Sequence, residues 1–193
     1  MKKPTIGFAL CGSFCTFSKA IREMERLTLE GYDIVPIMSR TAYSTDTRFG
    51  RAEDINKRIR EICSRNIIYT IEGAEPIGPK RLCDVIAVAP CTGNTMAKIA
   101  NAITDTSVTM AVKSQLRIDA PVVLALASND ALAASAKNLG ALLNTKNIYF
   151  VPMSQDDPER KAHSLVAHFD KLEDTITAAL EHKQIQPIFA QRS

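Results

Sequence analysis

The sequence predicts a three-layer α/β fold of flavodoxin-like or Rossmann-like type, with a mostly parallel sheet of about six strands covered by helices on both faces. Short apolar runs alternate with stretches of helical periodicity along the chain. The runs are continuously apolar, as in strands that are buried on both sides. Because 193 residues, 46% of them hydrophobic, are enough for one sizeable core, we expect a single domain over residues 1–193.

The first half of the chain contains three apolar runs that predict strands, at residues 6–11, 34–38 and 67–71. Apolar residues recur at helical spacing over residues 17–30 and 51–65, which predicts an amphipathic helix in each stretch. Gly31 stands where a glycine is favoured just after a helix. The polar residues 39–50 and the Gly- and Pro-containing residues 72–80 are expected to be loops.

The second half continues the alternation of strands and helices. Strands are predicted at residues 85–89, 122–127 and 148–151, and helices at 95–103, 107–116, 130–143 and 170–182. Pro90 is expected to end the strand before it, because proline donates no ladder hydrogen bond. The polar stretch 154–158 predicts a turn, and residues from about 158 to 193 are expected to form a helical C-terminal segment.

Charge and composition argue against several classes of protein. The net charge of +3 is small and the Lys and Arg residues are dispersed, which argues against a nucleic-acid-binding surface. No apolar stretch is long enough for a membrane span or a signal peptide, so we expect a cytoplasmic protein. Five cysteines with no CxxC pair indicate reduced thiols. Cys11 and Cys15 are four residues apart, but no histidine lies near them, so no metal site is expected.

Ligands bind at the carboxyl ends of the strands in such folds, and Gly12 and Ser13 follow the first strand. A glycine directly after a strand permits a tight turn, and the helix that follows presents free N–H groups to a phosphate. The sequence contains neither a P-loop nor a dinucleotide GxGxxG fingerprint. A simple turn with Ser13 as the helix cap explains the same residues, so both interpretations stay open at this point.

Three more strand ends carry short polar side chains. Ser39, Arg40 and Thr41 follow the second strand, where they could complete a phosphate site or only cap a helix. The small, polar loop at residues 90–95 suits the edge of a flat heterocycle, whereas helix capping accounts for only one of its residues. Residues 128–130 follow the next strand and again offer either ligand contacts or a cap.

The segment PCTGNTMAKIANAITD, residues 90–105, resembles the PASANT motif and following helix of the flavoprotein family that contains homo-oligomeric, FMN-containing cysteine decarboxylases and flavin prenyltransferases. The resemblance covers nearly the whole chain to about residue 150. It implies FMN as the cofactor and a homo-oligomer, either a trimer or a dodecamer. The FMN phosphate would be held by Gly12, Ser13, Ser39 and Thr41. The other cofactor-binding residues on this basis are Pro90, Cys91, Thr92, Asn94, Thr95 and Ser128, with the loop 90–95 facing the isoalloxazine ring.

The chain departs from the decarboxylases of this family at two places. Their active-site histidine lies in the middle of the chain, whereas the histidines here are His163, His168 and His182. Their PAMN-like segment is replaced by Ser-Asn-Asp at residues 128–130. Oxidative decarboxylation of a peptidyl or pantothenoyl cysteine is therefore not expected.

Four other segments resemble one branch of this family, the second subunits of a two-subunit synthase of spore-forming bacteria. They are ITDTSVTMAVKSQLR, SNDALAASAKNLGALLNTKNIYFVP, QDDPERK and KQIQP. This resemblance implies participation in oxidising a dihydropyridine dicarboxylate to pyridine-2,6-dicarboxylate during sporulation, in the cytoplasm of the mother cell. The implied partner is a first subunit that resembles nicotinamide-dependent oxidoreductases and supplies NAD(P). No nucleic acid or membrane partner is expected.

A dianionic substrate requires cations, and guanidinium groups suit bidentate contact with carboxylates. Candidate carboxylate partners are Arg40, Lys98, Lys113 and Arg117, and Asp130 is a candidate proton acceptor. A solvated surface charge also explains each of them, and the catalytic residues stay unassigned. Two other functions remain open. One is a flavin prenyltransferase, in which Arg117 would bind a pyrophosphate, and the other is a non-catalytic scaffold for the first subunit.

Overall fold

The computed structural model describes residues 3–190 and confirms the expected three-layer α/β fold, with a mostly parallel sheet of seven strands. The strands are β1 (Thr5–Leu10), β2 (Asp33–Met38), β3 (Val85–Cys91), β4 (Val122–Ser128), β5 (Ile148–Phe150), β6 (Met153–Ser154) and β7 (Leu165–Ala167). The helices are α1 (Phe17–Leu29), α2 (Arg40–Ser44), α3 (Ala52–Cys63), α4 (Ile71–Ala74), α5 (Gly93–Ala100), α6 (Ser107–Leu116), α7 (Ala136–Leu143) and α8 (Leu172–Leu180).

The strands lie in the order β2-β1-β3-β4, all parallel, so their carboxyl ends share one edge of the sheet. β4 changes its partner along its length. Residues 122–124 pair with the parallel β5, whereas Ala127 and Ser128 pair with the antiparallel β7, which in turn pairs with β6. β6 and β7 contain only two and three residues. They are too short to produce an apolar pattern, which is why the sequence predicts about six strands.

Successive side chains of the central strands point to opposite faces and belong to two apolar clusters. Ile6, Phe8 and Leu10 of β1 pack with α1, α3 and α8, whereas Ala9 and Cys11 belong to the cluster that contains α5, α6 and α7. All seven residues of β3 and of β4 are buried. Burial on both faces is therefore the physical cause of the continuous apolar runs in the sequence.

The strand predicted over residues 67–71 is wrong. Ile68 forms one isolated bridge with β2, and α4 follows at once. The strand does not form because Thr70 caps a helix instead. Its Oγ1 accepts a hydrogen bond from the Gly73 N–H at 3.1 Å at the start of α4. A second hydroxyl cap, at Ser39, starts α2 inside the stretch that the sequence predicts as a loop.

Pro90 does not end the third strand of the sheet, contrary to the prediction. β3 continues to Cys91, and its register against β4 shifts between Val88 and Cys91. The Ala89–Pro90 peptide bond is cis. Because proline has no N–H, the hydrogen-bond ladder is interrupted at this point while the chain stays extended. β3 thus runs on until Thr92 reaches the carboxyl edge of the sheet.

The region from about residue 158, predicted as helical, contains β7 as well as α8. After α8 the chain runs beside β5, where the Gln184 amide accepts from the Phe150 N–H and donates to the Phe150 carbonyl, both at 2.7 Å. The side chain thus takes the place of a neighbouring strand at this exposed sheet edge. The end of the predicted segment, residues 191–193, lies outside the described residues.

The helix predicted over residues 130–143 is shorter than expected and begins at Ala136. The Asp130 carbonyl accepts hydrogen bonds from the Ala133 N–H at 2.9 Å and the Ser135 N–H at 3.3 Å. These bonds form turns before α7 begins. They hold residue 130 at the carboxyl end of β4 rather than on a helix.

Candidate functional site

A cavity of about 440 Å³ lies at the carboxyl edge of the sheet, where the loops after β1, β3 and β4 meet. Its lining residues are Gly12, Ser13, Phe14, Cys15, Arg48, Phe49, Thr92, Gly93, Asn94, Ala127, Ser128, Asn129 and Asp130. The cavity thus brings together residues from three of the loops that the sequence singles out. A larger cavity, of about 760 Å³, lies beside β5 and contains none of the predicted site residues.

The loop after β1 presents backbone donors to this cavity. The N–H groups of Gly12, Phe14 and Cys15 have no hydrogen-bond partner among the described residues. Ser13 does not cap the following helical turn with its side chain. Instead, its Oγ accepts a hydrogen bond from Thr16 Oγ1 at 3.1 Å, which leaves the Ser13 hydroxyl proton able to donate elsewhere. The turn therefore has the donor set of an anion site rather than that of a simple helix cap.

The loop after β3 adds the N-terminal end of α5. Thr92 caps this helix: its Oγ1 accepts from the Thr95 N–H at 3.1 Å and donates to Thr95 Oγ1 at 3.1 Å. Thr95 is buried under that contact, whereas Asn94 is exposed at the cavity. Because the amide groups at the start of a helix carry partial positive charge, this loop favours electron-rich ligand atoms.

Gly93 lets the loop after β3 touch the loop after β4. A Cβ atom at Gly93 would lie 2.5 Å from Ser128 Oγ and 2.8 Å from Asp130 Oδ1. Atoms at such distances overlap, so a side chain cannot be accommodated without moving the neighbouring loop. The glycine is needed for close approach rather than for a turn, since its φ is not positive.

The Asp130 carboxylate is held by two hydroxyl groups. Ser128 Oγ donates to Oδ1 at 2.5 Å, and Ser135 Oγ donates to Oδ2 at 2.8 Å. These hydrogen bonds lower the pKa of Asp130 and outweigh the opposing effect of burial. A carboxylate whose pKa is lowered is a weaker base. Its geometry therefore suits holding the loop after β4 better than accepting a proton.

Residues 39–41, the first part of the loop after β2, lie beside the β1 loop without lining the cavity. Ser39 is buried, its N–H donates to the Leu10 carbonyl at 3.0 Å, and its Oγ accepts from the Ala42 N–H at 3.2 Å. The Thr41 methyl group lies 3.7 Å from the position that a Cβ would take at Gly12. Thr41 is thus next to the Gly12 turn, whereas the Ser39 hydroxyl is already engaged as a helix cap.

Two cysteines near the carboxyl edge are buried and unreactive. Burial raises the pKa of Cys11 to about 11, although a hydrogen bond with Thr95 opposes the shift. Burial also raises the pKa of Cys91 well above its ordinary value, and the charge of Cys11 adds to the effect. Neither thiol is a nucleophile at neutral pH. Pro90 and Cys91 are buried in β3 and do not line the cavity.

The cations that the sequence suggests as carboxylate partners lie elsewhere. Lys98 Nζ contacts both Asp105 carboxylate oxygens at 2.8 Å. Lys113 and Arg117 line another cavity, of about 420 Å³, beside α5 and α6. Arg40 is exposed at the start of α2 and is absent from the lining of the carboxyl-edge cavity.

Two lining residues that the sequence did not single out are Arg48 and Phe49. They lie in residues 39–50, which the sequence marks only as a polar loop. One sequence feature could have identified them. An arginine and an aromatic residue stand directly before Gly50, in a loop that begins at the carboxyl end of a strand. The loop is long enough to fold back over the edge of the sheet, which residue spacing alone does not reveal.

The part of the chain that the structure describes contains neither a membrane-spanning helix nor a metal centre. No helix within residues 3–190 combines the length and the apolar character needed to cross a membrane. No group of three or more His, Cys, Asp or Glu side chains in that range is placed to hold a metal ion. Cys11 is buried and Cys15 is exposed, and the cysteines in this range are free thiols.

A parallel sheet with a cavity at its carboxyl edge places the chain in the class of open α/β proteins, and unpaired N–H groups at that edge are typical of anion sites in this class. Comparison with known proteins makes the class specific: the chain belongs to the Flavoprotein family, whose model matches residues 1–183. The family assignment made from the PASANT-like segment is therefore confirmed.

The similarity to individual proteins extends over nearly the whole chain. The chain is 44% identical over 191 residues to the B subunit of dipicolinate synthase from Bacillus subtilis (strain 168), which covers 99% of the chain and 96% of the relative. It superimposes on the crystal structure of the corresponding B subunit from Bacillus halodurans with a TM-score of 0.90, 41% identity and coverage of 98% and 97% of the two chains. Burkholderia xenovorans DmrB, determined in complex with FMN, shares the fold at 18% identity, with a TM-score of 0.68 and coverage of 93% and 96%.

Proposed function

We propose that this chain is the B-type subunit of a dipicolinate synthase and takes part in oxidising dihydrodipicolinate to dipicolinate, pyridine-2,6-dicarboxylate, with FMN in the carboxyl-edge cavity. The observation that carries the proposal is the 44% identity to the B subunit of a dipicolinate synthase over 99% of this chain. The donor-lined cavity supports it, because it offers a place for a phosphate and a flat ring side by side.

The residues present fit a flavin mononucleotide. The free N–H groups of Gly12, Phe14 and Cys15, together with the Ser13 hydroxyl, match the acceptor oxygens of a phosphate. Thr41 stands beside this turn and can add a hydroxyl. Asn94, at the N-terminal end of α5, offers both donors and an acceptor to the edge of a heterocycle.

Aromatising a dihydropyridine removes one hydride and one proton. Bound FMN would supply the hydride acceptor. The chain itself would orient the cofactor: the Gly12–Ser13 turn would hold the phosphate, and the N-terminal end of α5 would hold the ring. Asp130 and Gly93 keep the loops after β4 and β3 in contact, and these loops would form a preorganised wall beside the bound ring.

The partner and the cellular setting are part of the same proposal. The A-type subunit of the synthase, a nicotinamide-dependent oxidoreductase, would provide NAD(P) and the proton acceptor, since Asp130 is a poor base here. The chain would assemble as a trimer or dodecamer and act in the cytoplasm of the sporulating mother cell. The alanines exposed on and before α7 are the candidate contact surface for that assembly.

The two other functions raised by the sequence receive less support. A prenyltransferase would use Arg117 at the flavin, but Arg117 lines the separate cavity beside α5 and α6. A scaffold that only organises the A-type partner would not need unpaired donors around an open cavity.

Reconstitution with the A-type partner tests the proposal. Dipicolinate formation is followed by its ultraviolet absorbance in mixtures of that partner, this chain, FMN and NAD(P). We expect synthesis only in the complete mixture, and a Ser13→Arg chain should not restore it. Full synthesis with the Ser13→Arg chain, or with flavin removed from every component, would refute catalysis at this cavity and leave the scaffold function.

A further inference from the structure

A two-residue turn places Arg48 and Phe49 at the mouth of the carboxyl-edge cavity. The Thr47 N–H donates to the Gly50 carbonyl at 3.0 Å, and the Gly50 N–H donates back to the Thr47 carbonyl at 3.1 Å. The Phe49 N–H also donates to Thr47 Oγ1 at 3.1 Å. The turn is therefore closed by three hydrogen bonds, and its tip is occupied by the two residues that line the cavity.

The turn is also anchored to the body of the protein. Asp46 Oδ1 accepts a hydrogen bond from the Ala52 N–H at 2.8 Å, which ties the start of the turn to the start of α3. Asn56 of α3 is buried, and its side chain donates to the Tyr43 carbonyl of α2 at 2.8 Å. The tip is thus held from both flanking helices, which limits the entropy lost when a ligand binds there.

Arg48 supplies a positive charge that no described protein group neutralises. Its guanidinium lies 4.9 Å from the centre of the Phe49 ring, a cation–π distance, and it forms no ion pair with a described residue. The other charged group in the lining is Asp130, whose two oxygens already accept hydrogen bonds from serine hydroxyls. Among the described residues that line this cavity, Arg48 is therefore the one with a positive charge.

The cavity has a second group of anion donors, the N–H groups of the Gly12 turn. A phosphate bound there would leave the Arg48 guanidinium with its full set of donors. Planar guanidinium groups bind planar carboxylates in a bidentate manner. The Phe49 ring, half exposed beside it, offers an apolar face to a flat six-membered ring.

We propose that Arg48 binds a carboxylate of the substrate and that Phe49 packs against the substrate ring. The cavity then selects planar ring carboxylates. The inference rests on the proposed function for the identity of the ring acid. It concerns two residues that take no part in the proposed cofactor site.

Binding measurements separate this role from cofactor binding. Pyridine-2,6-dicarboxylate is titrated by calorimetry into the full-length chain, with and without saturating FMN. FMN is titrated separately by fluorescence. For Arg48→Gln we expect dicarboxylate affinity to fall about tenfold or more, with FMN affinity changed less than about twofold. Arg48→Lys should recover only part of the loss, because an ammonium cannot form the bidentate pair. Arg51→Gln, an exposed arginine just beyond the same turn, is the matched control and should bind like wild type.

The outcomes are distinct. Unchanged dicarboxylate affinity in Arg48→Gln, or a wild-type chain that binds no dicarboxylate in either condition, overturns the proposal. An equal loss of FMN and dicarboxylate affinity also overturns it and makes Arg48 a ligand of the phosphate. Arg48-dependent dicarboxylate binding in a chain that binds no FMN would support this inference while contradicting the proposed function.

Discussion

At the scale of single residues, the contact between the β3 and β4 loops depends on the missing side chain of Gly93. Gly93→Ala places a Cβ against Ser128 Oγ and Asp130 Oδ1 and separates the hydrogen-bonded pair. We expect the free energy of unfolding to fall by about 1–3 kcal/mol, the cost of disrupting hydrogen bonds to a charged group. Chemical denaturation measures it.

Gly140 of α7 provides the control for that substitution. Apart from its chain neighbours and the backbone of its own helix, no atom lies within 4 Å of the position where its Cβ would be. Gly140→Ala should therefore raise stability by about 0.5–1 kcal/mol, because alanine restricts the unfolded chain and favours a helix. Destabilisation by Gly140→Ala, or none by Gly93→Ala, would contradict the packing described for these two positions.

The lowered pKa of Asp130 gives a second prediction at this scale. Ser135→Ala removes one of the two hydroxyl donors and leaves Ser128 in place. We expect the pKa of Asp130 to rise towards its ordinary value, because the ionised form loses a hydrogen bond. NMR titration of the carboxyl carbon measures the shift. An unchanged or lower pKa would show that Ser135 does not stabilise the carboxylate.

Residue types and their positions in the sequence predicted some of the residues that line the cavity. The others could not be predicted, because their place at the cavity depends on how the chain folds. Gly12, Thr92 and Ser128 follow strand ends directly, and parallel topology brings such ends together. Arg48 lies ten residues beyond the end of β2, and only the fold of its loop returns it to the edge. Lys98 shows a second limit, because its position next to the 90–95 loop in the sequence does not reveal its ion pair with Asp105.

At the scale of elements, α8 is held to α1 by an ion-pair cluster centred on Glu173. Arg26 donates to Glu173 Oε2 at 2.7 Å, and the Tyr32 hydroxyl donates to Oε1 at 2.9 Å. Burial alone would raise the pKa of Glu173, but the hydrogen bonds from Arg26 and Tyr32 outweigh it and lower the pKa. A group whose pKa is lowered by folding stabilises the folded state above its unfolded pKa.

We therefore expect Glu173→Gln to lower the free energy of unfolding at pH 7 by about 1–2 kcal/mol. The difference from wild type should shrink as the pH falls below about 4.3, the unfolded pKa of glutamate, and vanish as it passes the lower folded pKa. Urea denaturation at a series of pH values measures it. Glu53→Gln, at an exposed ion pair with Arg51, should have little effect at any pH. A Glu173→Gln deficit that does not depend on pH would exclude the charge as its cause.

Helices and strands were predicted correctly where burial produces a regular pattern of apolar residues. The prediction failed where a single local contact determines the secondary structure. β3 and β4 are buried on both faces, so their apolar runs are evident in the sequence. Residues 67–71 show the same kind of run, but Thr70 starts a helix there. β7 has three residues and forms because β4 has a free edge beyond Leu124. This pairing depends on the tertiary structure and leaves no pattern in the local sequence.

At the scale of the whole molecule, the comparisons apply to the complete fold rather than to one segment of it. The Flavoprotein match over residues 1–183 and the TM-score of 0.90 to the B subunit of a dipicolinate synthase apply to nearly the entire chain. The histidines at 163, 168 and 182 and Ser-Asn-Asp at 128–130, where the sequence resemblance predicts departures from the cysteine decarboxylases, leave the fold unchanged. The fold thus directs attention to the carboxyl edge, and the side chains there determine which reaction it supports.

FMN binding tests the central claim most directly. Flavin fluorescence is followed as the purified chain is titrated, for wild type, for Ser13→Arg and for Thr145→Arg, which adds the same charge at an exposed position before β5. We expect saturable quenching by wild type and by Thr145→Arg. Affinity should be at least about tenfold weaker for Ser13→Arg, because its side chain would fill the turn that we propose as the phosphate site. A wild-type chain that binds no FMN, or a Ser13→Arg chain that binds it with unchanged affinity, would contradict the account.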